Sequence, residues 1–140
     1  MHQNPLTLGW VCSYTPLELI VAAGLKPYKL QSVACHGDSS GSESLLPSAF
    51  CPYVRRLCSL CLQDSENVPP LILLVLSCDP IRRLADIIHS YSPAQEVIRL
   101  DIPRRRDHLA QEFLVAQLQA LLSDLEIRSG RAITDSDLSQ

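Results

Sequence analysis

Residues 71–87 read LILLVLSCDPIRRLADI. The first six are apolar on both alternating sets, which is the pattern of a strand buried on both faces in a parallel sheet. Asp79 then reads as a helix cap with Pro80 in the first turn. Ile81, Leu84, Ala85 and Ile88 follow at the spacing of one buried helical face. A buried strand running straight into an amphipathic helix is the repeating half of a parallel α/β sheet.

Working outward, residues 46–62 read LPSAFCPYVRRLCSLCL. Val54, Leu57, Cys58, Cys61 and Leu62 form one apolar face, so a helix is expected over 52–63. Residues 6–11 are a short apolar first strand. It leads to a helix over 16–23, with Thr15 as N-cap, Pro16 at the first position and Gly24 as the terminating glycine. Residues 25–34 hold a loop and a weaker second strand. HGDSSGSES at 36–44 is a polar loop, expected to be the most mobile segment. Residues 97–102 read as a fourth strand and 107–126 as the longest helix, with Leu114, Leu118, Leu121, Leu122 and Leu125 toward the core.

Strand and helix alternate throughout. The expected fold class is α/β: an open, mostly parallel four-stranded sheet with helices on both faces, a Rossmann- or flavodoxin-like half. Residues 1–128 form one such domain. Beyond Gly130, Thr134-Asp135-Ser136-Asp137 resembles a capping-box start. Residues 129–140 therefore read either as the start of a truncated following segment or as a frayed polar tail.

Composition narrows the function. The chain has 140 residues, 46% apolar and 19% charged, which is globular rather than disordered. A net charge of −3 argues against nucleic acid as a partner. No apolar run is long enough to span a membrane and no signal peptide is visible, so no membrane association and a reducing, cytoplasmic setting are expected. In such a setting the six cysteines are buried, metal-binding or catalytic rather than disulfide-bonded.

One small pattern occurs twice: Cys51-Pro52 leads to Arg55 and Arg56, and Cys78-Asp79-Pro80 leads to Arg82 and Arg83. Ligands of open α/β sheets bind at the carboxyl ends of the strands. Cys12, Cys51 and Cys78 all fall at that edge, where helix N-termini stabilise a thiolate, the form that binds metal or attacks an electrophile. The plainer alternative is small buried residues at tight junctions. Arg55 and Arg82 oppose their helix dipoles, which a nearby anion would offset: a thiolate-ligated cluster or a cofactor's phosphates. Arg104, Arg105 and Arg106 repeat the placement, with solvent-exposed arginine as the alternative. Cys58 and Cys61 lie on an apolar helix face and read as core. Cys35 has no assignable role, and His36, His89 and His108 show no metal spacing. No nucleotide-binding fingerprint and no support for a Ser-His-Asp triad are present.

Five blocks in order, GWVCSYTPLELIVAAGLKPYKL (9–30), LPSAFCPYVRRLCSLCL (46–62), LILLVLSCDPIRRLADI (71–87), RLDIPRRRDHLAQEFL (99–114) and SGRAITDSDL (129–138), resemble the N-terminal domain of the 2-hydroxyacyl-CoA dehydratase family, which includes the related benzoyl-CoA reductase subunits. The resemblance implies a heterodimer subunit of anaerobic metabolism that holds a [4Fe-4S] cluster. Cys51 and Cys78 correspond to two cluster ligands, and a third comes from a later domain. It further implies a second dehydratase subunit, an ATP-dependent iron–sulfur activator protein, and an acyl-CoA substrate that loses water by radical chemistry or undergoes ring reduction. Family chains are more than twice this length, so activity of this chain alone is not expected. Position adds Cys12 as a candidate third ligand, and Ser13, Arg55 and Arg82 as candidate substrate contacts. The alternatives are a non-catalytic iron–sulfur-binding or protein-interaction α/β module, and a plain scaffold whose cysteines are all buried.

Overall fold

A computed structural model describes residues 6–31, 44–63 and 68–139. Among them the elements run β1 (Thr7–Trp10), α1 (Leu17–Ala22), β2 (Lys26–Lys29), α2 (Pro52–Gln63), β3 (Leu71–Val75), α3 (Asp79–Tyr91), β4 (Glu96–Leu100), α4 (His108–Ser129) and α5 (Asp135–Leu138). The strands pair in the order β2-β1-β3-β4, and every pairing is parallel.

The apolar run forms the central strand. All five β3 residues are buried, and they alternate between two cores. Ile72 and Leu74 pack with Val54, Leu57 and Cys58 of α2 and with Ile81, Leu84 and Ile88 of α3. Leu71, Leu73 and Val75 pack with Leu8, Ile20 of α1, Ile98, and Leu121 and Leu125 of α4. Helices thus cover both faces, and a strand buried on both sides explains the absence of polar alternation. The open, four-stranded parallel α/β architecture is the one the sequence implies.

Several local expectations change. α1 begins at Leu17 with Pro16 at its N-cap, and no side chain caps it. Thr15 is buried instead, its hydroxyl donating to the Cys12 carbonyl at 2.6 Å, so it closes the turn after β1. Gly24 does end α1: at φ +73° it sits in the left-handed region. The Gly24 and Leu25 N–H groups return to the carbonyls of Val21 and Ile20, at 2.9 and 3.1 Å. Asp79 is the first residue of α3 rather than its cap. Cys78 occupies the N-cap in extended geometry, without a side-chain capping bond. β4 stops at Leu100, and the Asp101 N–H that follows donates to the Gln117 side chain at 3.3 Å.

α4 is capped by Asp107, whose carboxylate accepts from the Ala110 N–H at 2.9 Å, and it ends at Gly130, φ +66°. Of its five expected core leucines only Leu121 and Leu125 are buried; Leu114, Leu118 and Leu122 are half-buried. The capping box at Thr134 and Asp137 forms and starts α5, and the Ile133 N–H donates to Glu126 at 2.7 Å, seating this segment on α4. The polar loop expected over 36–44 lies, apart from Ser44, outside the described residues, as do Cys35 and His36. No helix among the described residues is long and apolar enough to cross a membrane.

Candidate functional site

β2 lies on one side of β1 and β3 on the other, so the chain changes direction between β1 and β3. The connections leaving their carboxyl ends diverge there and open a crevice, the usual ligand site of such sheets. Cys12 leaves β1 at this point, and Ser77 and Cys78 leave β3. The Cys12 thiol lies 3.4 Å from the Ser77 hydroxyl.

Cys51 and Cys78 occupy equivalent positions. The carbonyl of each accepts the first intrahelical bond, from the N–H of Arg55 and of Arg82 respectively, both at 3.1 Å. Each therefore stands at the positive end of a helix, of 12 residues for α2 and 13 for α3. Cys51 is exposed, Cys12 and Cys78 are half-buried, and all three are free thiols.

Tyr53, the second residue of α2, joins Cys51 to the crevice. Its hydroxyl donates to the Leu30 carbonyl at 3.0 Å. Burial pushes its pKa up, and negative charge on Cys12 and Cys51 pushes it further. Both thiols therefore share this ring's surroundings. Nothing in the sequence pattern marks Tyr53 or Ser77; both emerge only once β1, β2 and β3 lie side by side.

The arginines are largely balanced from within. Arg82 donates to Asp101 at 2.6 Å, Arg104 to Asp79 at 3.3 Å, and Arg99 pairs with Asp86 at 3.0 Å. The carboxylate at the end of β4 thus offsets the dipole-opposing charge of Arg82 without an external anion. The sequence pattern places Asp101 inside the expected fourth strand, with no role for its carboxylate. A cavity of about 580 Å³ lies beside these pairs, lined by Phe50, Leu76, Asp79, Arg82, Arg83 and Arg99 among others. Its walls include the residue before Cys51 and the residue after Cys78. A second cavity, of about 440 Å³, lies on the other side of Arg82 and is walled by Asp101, Arg104, Leu109 and Phe113. Ser13 is exposed in the turn after β1, and Arg55 is half-buried in α2.

Cys58 and Cys61 are fully buried, and burial pushes the Cys58 thiol up to about 11. They are core, as their helical spacing implies. His89 is exposed, and His108 pairs with Glu112 at 3.4 Å. Among the described residues no three His, Cys, Asp or Glu side chains come together to hold a metal ion, the three edge cysteines included. In kind the donors suit a soft, thiolate-bound metal group. In number they are incomplete.

A parallel α/β sheet with free thiols at two adjoining helix N-termini defines the class. A profile of the family described as 2-hydroxyglutaryl-CoA dehydratase, D-component, matches residues 12–140, and the chain belongs to that family. It is 31% identical over 137 residues to a benzoyl-CoA reductase subunit of Thauera aromatica, a match covering 94% of this chain and 34% of that one. It is 25% identical over 134 residues to the beta subunit of (R)-phenyllactyl-CoA dehydratase of Clostridium sporogenes, covering 95% and 35%. The chain thus spans about a third of the length of these curated relatives.

Proposed function

We propose that the chain is the α/β domain, residues 1–128 with the start of a following segment at 129–140, of an iron–sulfur 2-hydroxyacyl-CoA dehydratase subunit or of a related benzoyl-CoA reductase subunit. Cys51 and Cys78 serve as two thiolate ligands of a [4Fe-4S] cluster. The observation that carries this reading is their equivalent placement at the N-termini of α2 and α3, on one edge of one sheet. The remaining ligands come from outside these two, with Cys12 as the candidate within the chain. A cluster held there would supply one-electron chemistry to a thioester substrate. The chain's own residues set Cys51 and Cys78 at the positive ends of α2 and α3 and tie the β1 and β3 ends together through Cys12 and Ser77. Ser13 faces substrate from the turn after β1, while Arg55 and Arg82 attract the phosphates of an acyl-CoA. A second subunit and an ATP-dependent iron–sulfur activator complete the system, in the cytoplasm.

Anaerobic reconstitution with iron and sulfide, read as bound iron and acid-labile sulfide, tests the ligand assignment. Cys51→Ser and Cys78→Ser are expected to lose at least half the bound iron, and Cys58→Ala none. Full retention in both serine variants would sink the assignment. An unchanged yield in Cys12→Ser would remove the third-ligand role alone. The incomplete donor count favours one second reading, a non-catalytic iron–sulfur-binding or protein-interaction module. Acyl-CoA turnover by the purified holo-complex containing this chain separates the two.

A further inference from the structure

α4 carries more apolar surface than its own domain covers. Ala110, Leu121 and Leu125 face the core. Leu109, Phe113, Ala116, Ala120 and Ile127 follow one another at steps of four, three, four and seven residues, which places them on a single, different side of the helix. That side is open: Leu109 is 71%, Phe113 41% and Ile127 81% exposed, and both alanines are exposed. At 1.5 Å per residue the stripe runs for about 27 Å. A second apolar strip flanks the core side, where Leu19 of α1 and Val115, Leu118 and Leu122 line a groove of about 270 Å³. A helix with apolar residues on more sides than its own domain covers has surface left to bury. Ser123 and Asp124 interrupt this side between Ala120 and Ile127, but the run from Leu109 to Ala120 is more than the scattered leucines of an ordinary surface and marks a contact face.

We infer that the outer stripe of α4 is the docking face for the part of a dehydratase-type subunit that this chain does not represent. Two observations select that occupant. The chain accounts for only about a third of the relatives it matches, so a subunit of that kind has further chain to seat against the part present here. The stripe also begins at the right place. Leu109 and Phe113 wall the cavity that contains Arg82 and Asp101, one helical turn from Cys78. A polypeptide seated on Leu109 and Phe113 therefore reaches the thiol edge, whose donor set is incomplete. This rests on the subunit reading proposed for the chain, and it adds which surface joins the two parts.

The test places a photoreactive benzophenone side chain at position 127, or at 113, of the chain expressed in its native cell. Cross-linked peptides are identified by mass spectrometry, with position 89, exposed on α3 across the sheet, as control. Cross-links from 113 and 127 to peptides homologous to the remaining two-thirds of the reductase and dehydratase relatives are expected. Combining Phe113→Glu with the group at 127 should cut that yield at least ten-fold, without changing the purified chain's far-UV circular dichroism or melting temperature. Cross-links to a second copy of this chain, to an unrelated protein, or to nothing would overturn the inference, as would insensitivity to Phe113→Glu. None of these readouts depends on bound iron, so failure of the cluster assignment and failure of this interface are distinguishable.

Discussion

The thiol of Cys12 sits 3.4 Å from the hydroxyl of Ser77, across 65 residues of sequence. The contact joins the ends of β1 and β3 where the direction of strand succession reverses, so it reports directly on whether the crevice is formed. A thiol is a weak donor and acceptor, and the pair is only partly buried. A double-mutant cycle with Cys12→Ala and Ser77→Ala, followed by urea denaturation, is expected to give a coupling of about 0.5 kcal/mol. A coupling of zero would mean that the two strand ends are held by packing alone.

Thiol reactivity should divide the cysteines by position. Cys51 is exposed at a helix N-terminus, whereas Cys58 is buried with its thiol pushed up to about 11. In the native protein at neutral pH, iodoacetamide followed by peptide mapping should label Cys51 first, with Cys12 and Cys78 slower. Cys58 and Cys61 should react only after unfolding. Early labelling of Cys58 would contradict its place in the core.

β3 is the most deeply buried strand, and its loss should be felt on both faces. Leu73 and Leu74 are each fully buried, in different cores. Leu73→Ala and Leu74→Ala are each expected to cost about 2–5 kcal/mol, the transfer term plus the cavity left behind. Similar losses from the two would support two cores of comparable packing, and a loss below about 1 kcal/mol at either would argue against burial there.

Tyr53→Phe removes one hydrogen bond, to the Leu30 carbonyl, and is expected to cost about 1 kcal/mol. The ring titration is the sharper readout. Burial and the neighbouring thiolates raise the Tyr53 pKa above the ordinary 10.0, so its ultraviolet titration should lag the exposed tyrosines. Replacing Cys12 and Cys51 with alanine should bring it partway back.

Arg128 donates to both oxygens of Glu96, at 2.7 and 2.8 Å, linking α4 to the start of β4. The pairing holds the Glu96 carboxyl below its ordinary 4.5. A lowered folded-state pKa means that this stabilisation is present above the ordinary value and is lost as the pH falls through the folded one. Glu96→Gln should therefore melt slightly below wild type at neutral pH. The difference should vanish in acid, and a difference persisting there would point to a packing effect.

Much of the architecture was legible because its signals are local. The unbroken run at 71–75 could satisfy no one-sided sheet, and Gly24 and Gly130 ended their helices where left-handed backbone was required. The apolar face of α2 correctly assigned Cys58 and Cys61 to the core. Caps were less readable. Thr15 and Asp79 carry side chains suited to capping, but their polar atoms found other partners in the Cys12 carbonyl and in Arg104. α4 misled for a different reason: leucine repeats at helical spacing do not say which side meets the domain and which meets something else.

The residues alone were enough for the parallel α/β class, the helices on both faces and the placement of three thiols at the carboxyl edge. Each of these follows from hydrophobic period and chain order. The strand order β2-β1-β3-β4, the approach of Cys12 to Ser77, the influence of both Cys12 and Cys51 on Tyr53 and the capture of Arg82 by Asp101 came only from the folded chain. Those relationships join positions distant in sequence, and no local propensity encodes which strand ends become neighbours. Packing on the two faces of β3 makes them so.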